Sequence, residues 1–359
     1  MAAPEYHRSR PLPGSTRSRA GASNRASALI ADAHNDLLLE LAFRRGEPNP
    51  FARHWLPKLE AGGVALQVCP LYPALEQVPE AALRTTLEQA AAFHRAVAEN
   101  AERVALVRTR RDLAAVEHGE RLGLVLSMEG VEPLGASADL MDVYWELGVR
   151  MVGLTWNRRN TFADGLAEER AGGLSQRGRA LVERLVTLGV AIDLAHASEP
   201  TFWDVLARSG DAPVLVSHAA CRAVLDTPRN LSDEQMRAIA ARDGVLGVMA
   251  LPLVVDPAQP TIDRLVDHVE HAVEVMGIDH VALGGDFIRQ IVEAGIVEPS
   301  PPDTLLPTGT TLREELDGLA GPEEYGNLVR ALRDRGAGGD DLEAILWRNL
   351  VRVIRSALP

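Results

Sequence analysis

The sequence predicts an α/β chain folded as a closed parallel (β/α)8 barrel of the TIM type, and three observations carry that prediction. Eight short apolar runs are spread along the chain, longer helical patterns lie between them, and no glycine-rich phosphate loop follows the first run. An open doubly wound sheet usually has fewer strands and such a loop, whereas eight strand and helix repeats are what closing a barrel requires.

The runs are Ala28 to Ala33, Gly63 to Cys69, Leu122 to Met128, Arg150 to Thr155, Val190 to Ala195, Val214 to Ser217, Val245 to Ala250 and His280 to Gly284. Each is continuous rather than alternating, which suits parallel strands buried on both faces. The intervening helices have readable ends. Ser232 with Gln235 three residues on makes a capping box, and Gly189 and Gly277 fall where two helices should stop. Between Thr261 and Gly277, residues Ile262, Leu265, Val266, Val269, Val273 and Met276 recur at helical spacing, which assigns His268 and His271 to a solvated face. Leu342, Ile345, Leu346 and Leu350 should pack a last helix back on the barrel. The proline-rich stretch from Arg289 to Leu319 is too long for a simple connection and reads as an excursion near the barrel mouth.

With 359 residues, 46% hydrophobic and 24% charged, the chain has a globular composition. Residues 29–359 are expected to form one barrel domain. Residues 1–28, rich in Arg, Ser, Gly and Pro without apolar periodicity, read as a disordered tail. A formal net charge of −13 argues against a nucleic-acid partner. The sequence holds no apolar run long enough to span a bilayer, and its first 28 residues lack the apolar centre of a secretory signal. No membrane partner and a cytoplasmic address are the resulting expectations. Cys69 and Cys221, the only cysteines, are too few for a disulfide framework or a cysteine-rich zinc site, and Cys69 reads as a small buried hydrophobe.

The placement of possible metal ligands relative to the runs is the central observation. His34 and Asp36 follow run one, Glu129 run three, His196 run five, His218 run six and Asp286 run eight. All lie at carboxyl ends, which a barrel brings to one rim. Three histidines and three carboxylates gathered there would repel one another without cations. Imidazole with carboxylate suits zinc better than magnesium or calcium, with manganese, iron and cobalt left open. His34-Asn35-Asp36 also sets two side chains on the same side of an extended segment.

The segments Asp32-Ala33-His34-Asn35-Asp36, Ser127-Met128-Glu129-Gly130, Asp193-Leu194-Ala195-His196, Ser217-His218, Arg229-Asn230 and Gly285-Asp286-Phe287 occur in that order. From about Ala31 to the C-terminus the chain resembles the membrane dipeptidase family, zinc-dependent dipeptidases of the amidohydrolase-like barrels. The resemblance implies two zinc ions per chain, one held by His34 and Asp36 and the other by His196 and His218, with Glu129 bridging both. It implies cleavage of dipeptides, or of a dipeptide-like intermediate, through a metal-bridging hydroxide, with Asp286 as acid and base and Arg229 on the substrate. A homodimer is common among such enzymes. Related barrels often bridge with a carbamylated lysine, but Lys58, the only lysine, sits at no strand end.

The resemblance breaks at two places. Where the family has a histidine in a Leu-Thr-His context, this chain has Leu154-Thr155-Trp156-Asn157, which makes Trp156 and Asn157 the substrate-binding candidates there. Where the family has Asp-Phe-Asp-Gly, this chain has Asp286-Phe287-Ile288-Arg289, and Arg289 with Trp156 motivates a carboxylated or specialised peptide-like substrate. Two alternatives stand beside the dipeptidase reading. One is a barrel that keeps its metals with altered or lost catalysis and serves in ligand binding. The other is a hydrolase of another amide, lactam or lactone. His7, His54, His94 and His118 read as surface or connecting residues, and Asp193 as a structural acid between barrel and helices.

Overall fold

The computed structural model describes residues 29–74, 77–119, 121–296 and 315–359. The expected tail over residues 1–28 and the middle of the proline-rich stretch, residues 297–314, lie outside the described residues.

Nine strands form one parallel sheet: β1 (Ile30–Asp32), β2 (Val64–Leu71), β3 (Val104–Leu106), β4 (Leu122–Glu129), β5 (Val149–Gly153), β6 (Ala191–Asp193), β7 (Val214–Ala219), β8 (Leu246–Val248) and β9 (Val281–Leu283). β1 pairs with both β2 and β9, and β2 pairs with β4 from Leu66 to Leu71, so eight strands close into a ring. Those eight correspond to the eight apolar runs. β3 stands outside the ring. It pairs with Leu122–Leu124 at the start of β4, below the point where β5 takes over at Leu126. Its apolar run, Val104–Val107, is flanked by Arg103 and Arg108 and is not among the eight runs that predict the barrel.

The helices begin and end as local chemistry dictates. Ser175, Ser198, Ser232 and Thr261 each accept a backbone N–H two or three residues into the helix they precede, and Ser232 with Gln235 completes a capping box. Gly189 ends the helix Gln176–Leu188 with φ of 69°, a left-handed position that costs glycine little.

Residues from most strands and the last helix share one apolar cluster that includes Ala31, Val68, Val125, Met151, Ala191, Leu215, Leu350 and Ile354. The C-terminal segment from Gly339 to Ser356 therefore packs on the barrel as its apolar spacing requires. The Asn349 amide donates to the carbonyls of Ile278 and Val281 at the start of β9, so this segment covers the end away from the strand carboxyl termini. The other end is left free for loops.

One helix face was misread. His268 is wholly buried and His271 nearly so, whereas periodicity placed both in solvent. Helix Ile262–Met276 is covered on more than one side, with helix Tyr325–Asp334 and helix Asp233–Ala240 both packed against it. His268 accepts from the Cys221 backbone N–H through Nδ1 and donates from Nε2 to the Val255 carbonyl.

Candidate metal centre

The residues that follow the strands converge at the carboxyl-terminal rim. His34 Nε2 lies 3.5 Å from Glu129 Oε2, 3.7 Å from Asp36 Oδ1 and 3.8 Å from Asp286 Oδ1. On the other side of the same carboxylate, Glu129 Oε1 lies 3.1 Å from His196 Nε2 and 3.5 Å from His218 Nε2. His34 and His218, brought together from the first and sixth ring strands, stack with ring centroids 3.7 Å apart. Among the described residues, two groups have metal-ligand spacing: His34 with Glu129 and His218, and His34 with Asp36 and Asp286.

Local backbone aims these groups. His196 and Asp286 adopt φ of 60° and 51°, a left-handed region that side chains other than glycine seldom enter and that tends to persist at functional sites. The Asp286 N–H donates to the His34 carbonyl at 2.9 Å, fixing the loop after β9 to the loop after β1. Gly247 and Gly284 let β8 and β9 approach β7, because a Cβ at either would stand 1.9 Å from the Ser217 carbonyl oxygen.

Two buried aspartates hold the ligand-bearing ends. At the end of β1, Asp32 accepts from the His34 and Gly285 N–H groups, from the Asn35 amide and from the Tyr325 hydroxyl. At the end of β6, Asp193 accepts from the Ala195 and Ser217 N–H groups and from the Ser217 hydroxyl. Each aspartate ties its own strand end to the neighbouring one. Asp193 thus works across β6 and β7 instead of between barrel and helices.

The protonation pattern indicates what the cluster is built to hold. The Asn157 carbonyl oxygen lies 2.6 Å from His196 Nδ1 and therefore accepts its proton. Ser217 gives its own proton to Asp193 and so accepts from His218 Nδ1 at 2.7 Å. Neither Nε2 atom carries a proton; they lie 2.8 Å apart and face Glu129, and the one on His196 also accepts from Arg229 Nη2 at 3.0 Å. The Oδ1 atom of Asp36 is buried with no hydrogen-bond partner. Lone pairs that meet without a proton between them are a donor set for a cation.

The charges agree. Burial, then Asp286, pushes the Asp36 carboxyl well above the usual range. Burial, then Asp36 and Asp286, does the same to Glu129. Burial raises Asp286 to about 6 against the opposing pull of Arg229. Burial and Arg229 lower His34 to about 3, and burial lowers His196 and His218 well below their ordinary value. A divalent cation stabilises the carboxylates in their charged form and uses the imidazoles in their neutral one.

With this geometry in view, the comparison with known proteins is direct. The sequence profile of the membrane dipeptidase family, peptidase family M19, matches residues 23–300. The chain belongs to the membrane dipeptidase family. Dipeptidase verJ of Clonostachys rogersoniana is 28% identical over 276 residues, 76% of this chain and 65% of that protein. Dipeptidase tcpJ of Claviceps purpurea is 27% identical over 284 residues, 78% of this chain and 61% of that protein. The matched part of the chain thus spans less than two thirds of the length of these relatives. A metallopeptidase from Rhodobacter sphaeroides, whose crystal structure carries a phosphinate mimic of the dipeptide L-Ala-D-Ala, superposes with a TM-score of 0.79 at 22% identity, over 92% of this chain and 100% of that one. At that identity the likeness establishes the fold. Among the described residues, no helix is long and apolar enough to cross a membrane.

In this membrane dipeptidase family member, His34, Asp36, Glu129, His196, His218 and Asp286 come together as their strand-end positions predict. Arg229 joins them, 4% exposed, with Nη2 donating to the His218 carbonyl at 2.7 Å and to His196 Nε2 at 3.0 Å. Asn157 differs from expectation. Expected at the substrate, it is 3% exposed and turned to His196, which makes it a positioning residue. Trp156 packs between Tyr72 and His196, its ring 5.5 Å and 6.0 Å from theirs, and lines a small cavity with Glu129. Arg289 is also corrected. Its guanidinium is paired with Glu315 and Glu323 at 3.2 Å and 3.1 Å, so it does not offer a free cation to a carboxylated substrate. Lys58 is bonded to Gln290 at 2.7 Å, clear of the centre.

Three residues that hold the centre went unread in the sequence, Asp32, Asn35 and Ser217, while Asp193 read only as a structural acid between barrel and helices. One signal was available, since an aspartate precedes the histidine by two residues at His34 and by three at His196.

Proposed function

We propose that this chain is a dizinc hydrolase of dipeptides. His34 and Asp36 would hold one zinc ion and His196 and His218 the other, with one oxygen of Glu129 turned toward each. The observation that carries the reading is the meeting of His196 and His218 Nε2 with Glu129 Oε1, while His34 Nε2 lies 3.5 Å from Oε2 and 3.7 Å from Asp36 Oδ1. Bound there, the cations supply a polarised peptide carbonyl and a water acidified toward a pKa of about 7.

The chain's own groups do the rest. Asp286, a buried carboxyl 3.8 Å from His34 Nε2 at the edge of the centre, is suited to take a proton from the attacking water and return it to the leaving amine. Arg229 is a fixed, buried cation for the substrate carboxylate or for carbonyl oxygen. Asn157 and Ser217 hold the imidazoles so that Nε2 faces inward. A chain purified with two zinc equivalents and hydrolysing dipeptides in a chelator-sensitive way would support this reading. Stoichiometric metal with no turnover on any dipeptide would refute it.

A second reading, a barrel that keeps metal with altered or lost catalysis, rests on Trp156. An indole offers one N–H and no charge where the family pattern has a histidine. Trp156→His separates the two. A gain of about 10²-fold or more in kcat favours the second reading, because one oxyanion partner is worth about that much.

A further inference from the structure

A cavity of about 430 Å³ adjoins the metal centre, with His196 and Arg229 in its wall. Loops after β5, β6 and β7 enclose it, and its rim carries four carboxylates: Glu168, Glu169, Glu199 and Asp226. Glu169, Glu199 and Asp226 are exposed, and Glu168 is half-buried, accepting from the Arg159 backbone N–H and paired with the Arg159 guanidinium at 3.9 Å. Against them stand two cations. Arg229 stands at the inner end, where its Nη2 donates to His196 and to the His218 carbonyl, and Arg222 donates to the Asn230 carbonyl at 3.1 Å. Asn230 belongs to the same wall and is only 1% exposed, yet its side-chain oxygen has no hydrogen-bond partner. This wall is rich in acceptors and short of donors. Between the inner cation and the acidic rim, Leu166, Ala197 and Leu231 give it apolar surface.

We infer that this cavity is a subsite for a basic side chain on the carboxyl-terminal residue of the substrate, of the lysine or arginine class. The inference rests on the dipeptidase reading and deepens it. A dipeptide whose carboxylate meets Arg229 carries its second side chain beside that carboxylate. An aliphatic stem then lies along Leu166 and Leu231, while its cationic tip reaches the carboxylates at the rim. A glutamate or aspartate side chain in the same position meets the like charges of Glu169, Glu199 and Asp226. Each exposed ion pair is weak alone, but three or four acting on one cation add up to a usable preference.

The test uses the zinc-loaded full chain and three peptides, Ala-Lys, Ala-Met and Ala-Glu, each with the L and the D form of the second residue. Methionine matches the lysine stem without its charge. The expected result is a kcat/KM for Ala-Lys about tenfold above Ala-Met and further above Ala-Glu, shrinking as salt is added. In the triple variant Glu169→Gln, Glu199→Gln, Asp226→Asn, whose residues lie outside the metal centre, the Lys to Met ratio should fall to within about twofold while Ala-Met turnover stays unchanged. Equal rates for Ala-Lys and Ala-Met, or a ratio untouched by the triple variant, would overturn the inference. Calorimetric binding of the same peptides keeps the outcomes separable. Tighter binding of Ala-Lys without turnover of any peptide upholds the subsite and refutes the hydrolase, whereas indifferent binding overturns the subsite whatever the turnover.

Discussion

The Ser217 hydroxyl stands between Asp193 and His218, giving its proton to the carboxylate and accepting the Nδ1 proton of the imidazole at 2.7 Å. A ligating histidine oriented by a second hydrogen bond is a more basic and better aimed donor. Ser217→Ala should therefore weaken zinc binding about 10- to 100-fold at the His196 and His218 side, with Ser217→Thr recovering most of it. Competition with a chelating dye measures this directly. Unchanged affinity in Ser217→Ala would mean that the serine merely fills space.

Asp286 and Glu129 should separate cleanly by mutation. Asp286→Asn removes the proton acceptor and leaves all five ligand residues in place, so metal content should persist while kcat falls about 10²- to 10⁴-fold. Metal analysis beside turnover checks both halves. Full turnover in Asp286→Asn would remove the acid and base role.

Close packing at the rim predicts a stability effect. In Gly284→Ala, the new methyl carbon would meet the Ser217 carbonyl oxygen at 1.9 Å, a backbone atom with no rotamer to yield. A loss of about 1–3 kcal/mol or more is expected, read as a lowered urea midpoint, together with reduced zinc affinity because Ser217 must shift. A variant of normal stability would show that the strands are less tightly apposed.

His268 makes the chain acid-sensitive away from the metal centre. Burial is the main cause holding its imidazole at about 4 instead of 6.5, helped by Arg264 and His271 and opposed by the Val255 carbonyl and Asp267. Below pH 6.5 the unfolded chain takes up the proton and the folded chain does not. Stability from this group is thus complete above about pH 6.5 and declines by about 1.4 kcal/mol per unit as pH falls toward 4. Between pH 7.5 and 5.0, His268→Gln should lose less stability in urea than the native chain. Equal losses would show that His268 does not contribute.

How far the sequence could be read depended on the range of the interaction. The eight ring strands were legible because a strand buried on both faces needs a continuous apolar run, and the six centre residues were legible because they directly follow those runs. β3 was not read: its short apolar run is flanked by Arg103 and Arg108, and the strand lies outside a ring that closes with eight. His268 was misplaced because a period of 3.6 identifies one core face, and helix Ile262–Met276 has neighbours on more than one side. Asn157 and Ser217 act through partners 39 and 24 residues away, His196 and Asp193, and no local pattern encodes such pairings. The pairing of Arg289 depends likewise on Glu315 and Glu323, brought to it by the fold.

Anomalous diffraction from crystals of the zinc-loaded chain tests the central claim most directly. Two zinc peaks should appear, one beside His34 and Asp36 and one beside His196 and His218, each touching a different oxygen of Glu129, and both should vanish in Glu129→Ala. A single peak, or peaks that survive the loss of Glu129, would contradict the account.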